Sequence, residues 1–194
     1  MEYVPVCPEV ECGFSIPRES LRLLGNPQKP RLVTSRTGVD HTDRMEAWAH
    51  RRVAELEMEN LCGFIFKSDS PSSGMERVKV YDDKGIPKKT GAGIFARIFR
   101  EHFPLIPVEE EGRLHDPTLR ENFIERIFTC RRYSKAMDEK KRIESLVAFH
   151  TKNKLLLMAH SPKHLKPMGN LVAHAKELSK RDFFAQYERL LTEG

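Results

Sequence analysis

The ten residues VEEEGRLHDP, numbers 108 to 117, separate two textures in this chain. Upstream of them, short β-like runs (YVPV at 3–6, PRLVT at 30–34, CGFIFK at 62–67 and ERVKVY at 76–81) are divided by turns rich in Pro, Gly and Ser. Two helical stretches lie among these runs. The first starts near Asp40 or Thr42, either of which can cap it, and carries Met45, Trp48, Val53 and Leu56 towards a core. The second follows the glycines of KTGAG and runs through IFARIFREHF until Pro104 stops it. Strands mixed with helices predict an α/β domain over residues 1–111. Downstream the pattern is helical throughout. Asp116 before Pro117, with Glu121 beyond, makes a helix start for LRENFIERIFTCRRY, whose Leu119, Phe123, Ile127 and Cys130 fall on one face. IESLVAFHTKNKLLLMAH, HLKPMGNLVAHAKEL and RDFFAQYERLL read as further helices, the second of them kinked or delayed by Pro167. An all-α domain is predicted over residues 112–194, a bundle that looks incomplete at Gly194.

Charge follows the same division. Residues 1–111 hold 16 Lys and Arg against 18 Asp and Glu, a balance of −2, whereas residues 112–194 hold 17 against 10, a balance of +7. A near-neutral module joined to a basic one suits a polyanion as partner for the second. No stretch reaches the roughly 18 apolar residues that span a bilayer, and the longest apolar run, in KLLLMAH, is expected to be a core segment. The start MEYVPVCPE has no basic region followed by an apolar one, so it does not read as a secretion signal. A cytoplasmic, reducing setting is the expectation, in which the four cysteines are thiols or metal ligands rather than disulfides.

Chemistry concentrates in two stretches. VPVCPEVECG, residues 4–13, sets Cys7 and Cys12 around a Pro-Glu pair. Thiolates suit zinc or an iron–sulfur cluster, but such sites take three or four ligands, and two cysteines cannot close one. Cys62, ahead of the apolar strand GFIFK, is placed to approach them across the sheet, while Cys130 lies on a helix of the other domain. Spacing alone favours ordinary buried thiols. KSDSPSSG, residues 67–74, packs four serines ahead of a glycine, a loop able to offer hydroxyls and N–H groups to an anion or small polar ligand, or simply a solvated turn.

VPVCPEVECG, PRLVTSRTGVDHT and FKSDSPSSGMERVKVY resemble the thiouracil desulfidase family. EEEGRLHDPTLRENFIERIF and LVAFHTKNKLLLMAHSPKH resemble the YbgA-like helical domain often fused to it. The resemblance implies a 4Fe-4S cluster held on three cysteines, with one iron open to take sulfur from a thiolated pyrimidine. For the fused form it implies removal of sulfur from thiouridine in tRNA. Cys7 matches the cysteine of the family's VCPE motif and is the implied metal ligand, and Glu9 matches its acidic residue, a carboxylate placed to move a proton. Residues 70–74 match the family's SPSCG, with Ser73 where a ligand cysteine is expected, so that Ser70 and Ser73 join Glu9 as catalytic candidates. A hydroxyl is a much poorer iron ligand than a thiolate, and three explanations stand: a truncated sequence, a decayed gene, or a subgroup in which Cys12 or Cys62 replaces the missing cysteine beside Cys7. The family's first cysteine lies upstream, in a segment reading roughly SSCLLG, and its helical domain has further helices, so the chain resembles the middle of a longer protein truncated at both ends. Two readings stand: a cluster-dependent desulfidase, and a non-catalytic RNA-binding or interaction protein that keeps the fold.

The remaining features are weaker. Lys140, Lys141 and Arg142 in DEKKR suit a solvated loop or a phosphate contact, and for Arg131 and Arg132 salt bridges and RNA contacts both fit. His150, His160 and His164 read as satisfied helix histidines or as surface residues near a phosphate backbone. GAG at 91–93, with Lys88 and Lys89 upstream, lacks the full glycine fingerprint of a phosphate turn and reads as the start of a helix.

Overall fold

The computed structural model describes residues 2–137 and 142–193. Two units make up the chain: Met1–Pro104 with Val108–Arg120, and Leu105–Pro107 with Glu121–Gly194. The first opens with a single helical turn, α1 (Pro8–Glu11), followed by the antiparallel strands β1 (Leu21–Leu24) and β2 (Arg31–Thr34). Helix α2 (Thr42–Leu56) then leads to β3 (Phe64–Phe66), β4 (Val78–Tyr81) and β5 (Pro87–Gly91). Helix α3 (Ile94–His102) and strand β6 (Val108–Glu110) complete the regular elements. The main sheet has the order β2-β1-β4-β5, with β1 parallel to β4 and β5 antiparallel to it. Strands β3 and β6 form a second, parallel pair.

Side-chain chemistry accounts for these elements. In β4, Val78 and Val80 turn inward while Lys79 faces out, the two-residue period of a sheet with one buried face. Pro87, Lys88 and Lys89 are exposed on the edge strand β5, where a missing donor and like charges discourage pairing with another chain. Asp40 Oδ1 accepts the Thr42 N–H at 2.9 Å and so secures the start of α2, which buries Met45, Trp48, Val53 and Leu56. The core is aromatic: Phe64 and Phe99 have ring centroids 4.3 Å apart, and Trp48 and Phe95 5.2 Å.

The second unit is helical, made from the greater part of α4 (Pro117–Met137) with α5 (Ile143–His160), α6 (Pro162–Ala173) and α7 (Lys180–Glu193). Leu146, Phe149, Met168, Phe183 and Tyr187 form its core. Ser179 and Asp182 cap α7 reciprocally, the hydroxyl donating to the carboxylate at 2.7 Å and accepting the Asp182 N–H at 3.1 Å. The architecture is thus an α/β region followed by a helical one, as the residues predict.

Several local expectations change. YVPV is not a strand, and β1, β5 and β6 lie in stretches not expected to be strands. Helix α6 runs from Pro162 straight through Pro167, so this proline does not delay it. KLLLMAH is not a core segment: Leu155 is 74% exposed and Met158 49%. The buried face of α5 is set by Leu146, Phe149, His150 and Asn153, a helical spacing that turns 155 and 158 outward. Among the described residues no helix is long and apolar enough to cross a membrane.

Candidate functional site

The turn CPEVE makes a short, well-fixed platform. Pro8 has its φ set for the first helical position, and Glu11 Oε1 accepts the free Cys7 N–H at 2.9 Å. The other Glu11 oxygen meets Arg52 Nε of α2 at 2.9 Å. Arg44, also on α2, donates to the carbonyls of Cys12 and Gly13 at 2.9 and 2.7 Å and lies over the Phe14 ring. These contacts hold Cys7 at the rim, exposed, and set Glu9 with its side chain only 13% exposed.

Glu9 joins the two stretches that the sequence singles out. Its Oε1 accepts the Ser72 hydroxyl across 63 residues of chain. Its Oε2 lies 3.8 Å from Cys7 Sγ, which donates to it, and 3.7 Å from Arg18 Nη2. Ser70 Oγ accepts the N–H of Ser73 at 3.1 Å and that of Ser72 at 3.3 Å, and it lies 3.0 Å from Ser72 Oγ. Ser72 is fully buried and Ser73 nearly so. The structure therefore gathers Cys7, Glu9, Ser70 and Ser73 around one small site, with Ser72 as the residue that ties them.

Two further elements shape the serine loop. The start of α3 faces it: Gly93, Ile94 and Ala96 donate their N–H groups to the carbonyls of Gly74, Pro71 and Ser72 at 2.8, 3.3 and 3.2 Å. Two of the free donors of the helix start, those of Ile94 and Ala96, are thus satisfied by the loop, and GAG serves packing here. A Cβ on Gly93 would lie 2.4 Å from the Ser72 carbonyl, so only glycine permits this approach. At the other side, adjacent carboxylates at the end of β6 hold both ends of the loop. Glu110 Oε1 accepts the Met75 N–H at 2.8 Å, while Glu111 accepts the Ser68 N–H at 2.7 Å, the Ser68 hydroxyl at 3.0 Å and Lys67 Nζ at 2.6 Å. Desolvation alone would raise Glu111, yet Lys67 and Ser68 outweigh it and bring its carboxyl from the usual 4.5 down to about 2. Ser72, Arg18, Gly93, Glu110 and Glu111 were not among the residues read from sequence as site candidates. Gly93 and Ser72 lay in stretches the sequence marks, GAG and SPSSG, but neither was singled out for the site, and Glu110 and Glu111 showed only as part of a run of three acids.

The other candidates lie elsewhere. Cys12 is buried with its Sγ 3.6 Å from the Arg44 carbonyl, and burial pushes its thiol up despite the nearby Arg44 charge. Cys62 Sγ donates to the Asn60 carbonyl at 3.5 Å. Cys130, in the second unit, faces the Leu105 carbonyl at 3.8 Å. Arg132 is held by Glu125 at 2.7 Å and by Thr129 at 2.8 Å, whereas Arg131 and Arg142 are exposed. Lys140 and Lys141 lie outside the described residues. The three histidines separate: His150 is buried with Nδ1 3.1 Å from the Tyr187 hydroxyl, His164 Nδ1 pairs with Ser161 at 2.6 Å, and His160 is exposed.

The cluster implied by the sequence resemblance can be tested against this donor set. Among the described residues no three of His, Cys, Asp and Glu form a group able to hold a metal. At the site itself Cys7 is the single thiol, with a carboxylate and serine hydroxyls for neighbours. These donors do not fit a 4Fe-4S cluster, which is bound by several thiolates.

Comparison with known proteins adds the family. The 2-thiouracil desulfurase family matches residues 1–111, and a family of unknown function (DUF1722) matches residues 154–194. A solved structure of a 4Fe-4S-dependent thiouracil desulfidase, TudS, shares 25% identity with the chain at a TM-score of 0.46, covering 60% of this chain and 72% of its own. No curated protein matches. Since the first match takes in more than half of the 194 residues and contains the whole Cys7–Glu9–serine site, the chain belongs to the 2-thiouracil desulfurase family.

Proposed function

We propose that this chain removes sulfur from a thiolated uracil or uridine, replacing C=S by C=O, and that thiouridine in tRNA is its substrate. The observation that carries this reading is Glu9, a largely buried carboxylate positioned by Ser72 and Arg18 beside an exposed thiol. Exchange of sulfur for oxygen requires water to lose protons as it attacks the thiocarbonyl carbon, and the departing sulfur to gain them. A fixed carboxylate can carry a proton from one to the other, an effect worth on the order of 10² to 10⁴ in rate. Because the donors do not fit a cluster, no step is assigned to iron.

The tRNA part of the reading draws on the basic second unit. Lys152, Lys154, Lys163 and Lys166 on α5 and α6 are exposed, as are Arg131 and Arg142, and cations of this kind suit a phosphate backbone. Ser73 in the cysteine position favours the second reading, a protein that binds RNA through the same unit without turning it over. Thiouracil and thiouridine-containing tRNA, incubated with the chain and with Glu9→Gln, distinguish the two. Release of hydrosulfide that the variant loses supports the desulfidase. Tight, salt-dependent tRNA binding without release supports the binder.

A further inference from the structure

The direction of hydrogen bonding at the site can be worked out group by group. An ionised carboxylate only accepts, so the Ser72 hydroxyl spends its one hydrogen on Glu9. Ser72 Oγ can then only accept from Ser70, whose oxygen already receives the N–H groups of Ser72 and Ser73. The result is a directed chain from Ser70 to Ser72 to Glu9, ending beside the Cys7 thiol. The Ser70 and Ser72 hydroxyls and the N–H groups of Ser72 and Ser73 are committed to this chain, and the carbonyls of Pro71, Ser72 and Gly74 to α3. The N–H groups of Ser72 and Ser73, of the kind that bond cluster sulfurs, point to Ser70, and those of Gly93, Ile94 and Ala96 go to loop carbonyls.

The remaining thiols do not help. Cys12 and Cys62 each give their hydrogen to a backbone carbonyl, that of Arg44 and that of Asn60. A hydroxyl at 73 is a weak iron ligand. We infer that this is a carboxylate–hydroxyl site that takes no iron–sulfur cluster, so that the sulfur is displaced by water and leaves in solution. The inference deepens the proposed desulfidation and rests on it for its substrate. Atoms balance without an added reductant or oxidant: the water oxygen bonds to the thiocarbonyl carbon, the C–S bond breaks, and both water hydrogens leave with the sulfur as hydrogen sulfide.

Anaerobic reconstitution of the chain with ferrous iron and sulfide tests this, read as iron and acid-labile sulfide per chain and by visible absorption. Cys7→Ala is the reference, chosen because Cys7 is exposed and its loss should leave folding intact, which thermal unfolding checks. Iron and sulfide no higher in the chain than in Cys7→Ala is the expected result. Retention in the chain that Cys7→Ala abolishes, up to about four of each for a full cluster, overturns the inference while leaving the desulfidase reading intact. Turnover of thiouracil by the metal-free chain in the presence of a chelator is measured separately. Its absence alongside background iron sinks the proposed function and leaves the absence of a cluster standing.

Discussion

In the first unit the charges around the site are spent on structure. Arg18 meets Glu9, Arg52 meets Glu11, Arg97 meets Glu46, Arg113 meets Glu109 and Lys67 meets Glu111, and three of these carboxylates also take hydrogen bonds from the site or its loop. In the second unit Lys152, Lys154, Lys163 and Lys166 are exposed and make no ion pair among the described residues. Paired cations fix geometry, since each holds an acid in one orientation. Unpaired cations leave a field in solution, where a polyanion can neutralise them. The contrast is between Glu9, Glu11 and Glu111 around the site, each held by a cation, and these four lysines of α5 and α6, which hold no acid among the described residues.

The largest effect should come from the site. Glu9→Gln keeps the shape but removes the proton carrier, and hydrosulfide release should fall on the order of 10²-fold or more. An unchanged rate would break the link between the paired acids and the chemistry.

Gly93→Ala comes next. Its methyl would press on the Ser72 carbonyl at 2.4 Å, and neither loop nor helix can yield without losing the N–H bonds between them. A loss of roughly 1–3 kcal/mol in denaturant-measured stability is expected, together with loss of turnover. Full stability would show that the loop is not pinned by α3.

Acid should affect the two units in different windows. Glu111 is lowered to about 2 from 4.5, so its contribution is whole above pH 4.5 and is lost as pH falls towards 2. His150 is lowered from 6.5 by burial and by Lys154, so the unfolded imidazole takes a proton first and the second unit weakens as pH falls below 6.5. Hydrogen-exchange protection, taken relative to the intrinsic rate at each pH, should therefore begin to fall at a higher pH for Phe149 and Tyr187 than for Phe66. Protection that falls together at all three sites would remove this distinction.

The smallest effect is on binding. Lys163→Ala with Lys166→Ala should weaken tRNA binding evenly across sequences and reduce the salt slope by about 1 to 2. An unchanged slope would place the RNA contact elsewhere.

Much of this was legible beforehand because it is local. The helical period placed Met45, Trp48, Val53 and Leu56 on a buried face, and the change of texture after VEEEGRLHDP marked the passage to helices. Strand β5 escaped notice because PKKTG is an edge strand chosen against pairing rather than for burial, and β6 because VEE has only three residues. In the site, the resemblance of CPE and SPSSG to family motifs brought out Cys7, Glu9, Ser70 and Ser73. Ser72 did not stand out among four serines.

Residue types and their periods were enough to establish the fold class and the charge division, since each depends on neighbours a few positions away, whereas Ser73 in a cysteine's place is visible only through the resemblance to the family. Folding alone selected Ser72 as the partner of Glu9, Gly93 as the point of closest approach, and Glu110 and Glu111 as the clamps on either end of the loop. Those contacts join residues 20 to 63 positions apart, and no local pattern encodes which distant carbonyl or carboxylate a folded chain will bring to a given donor.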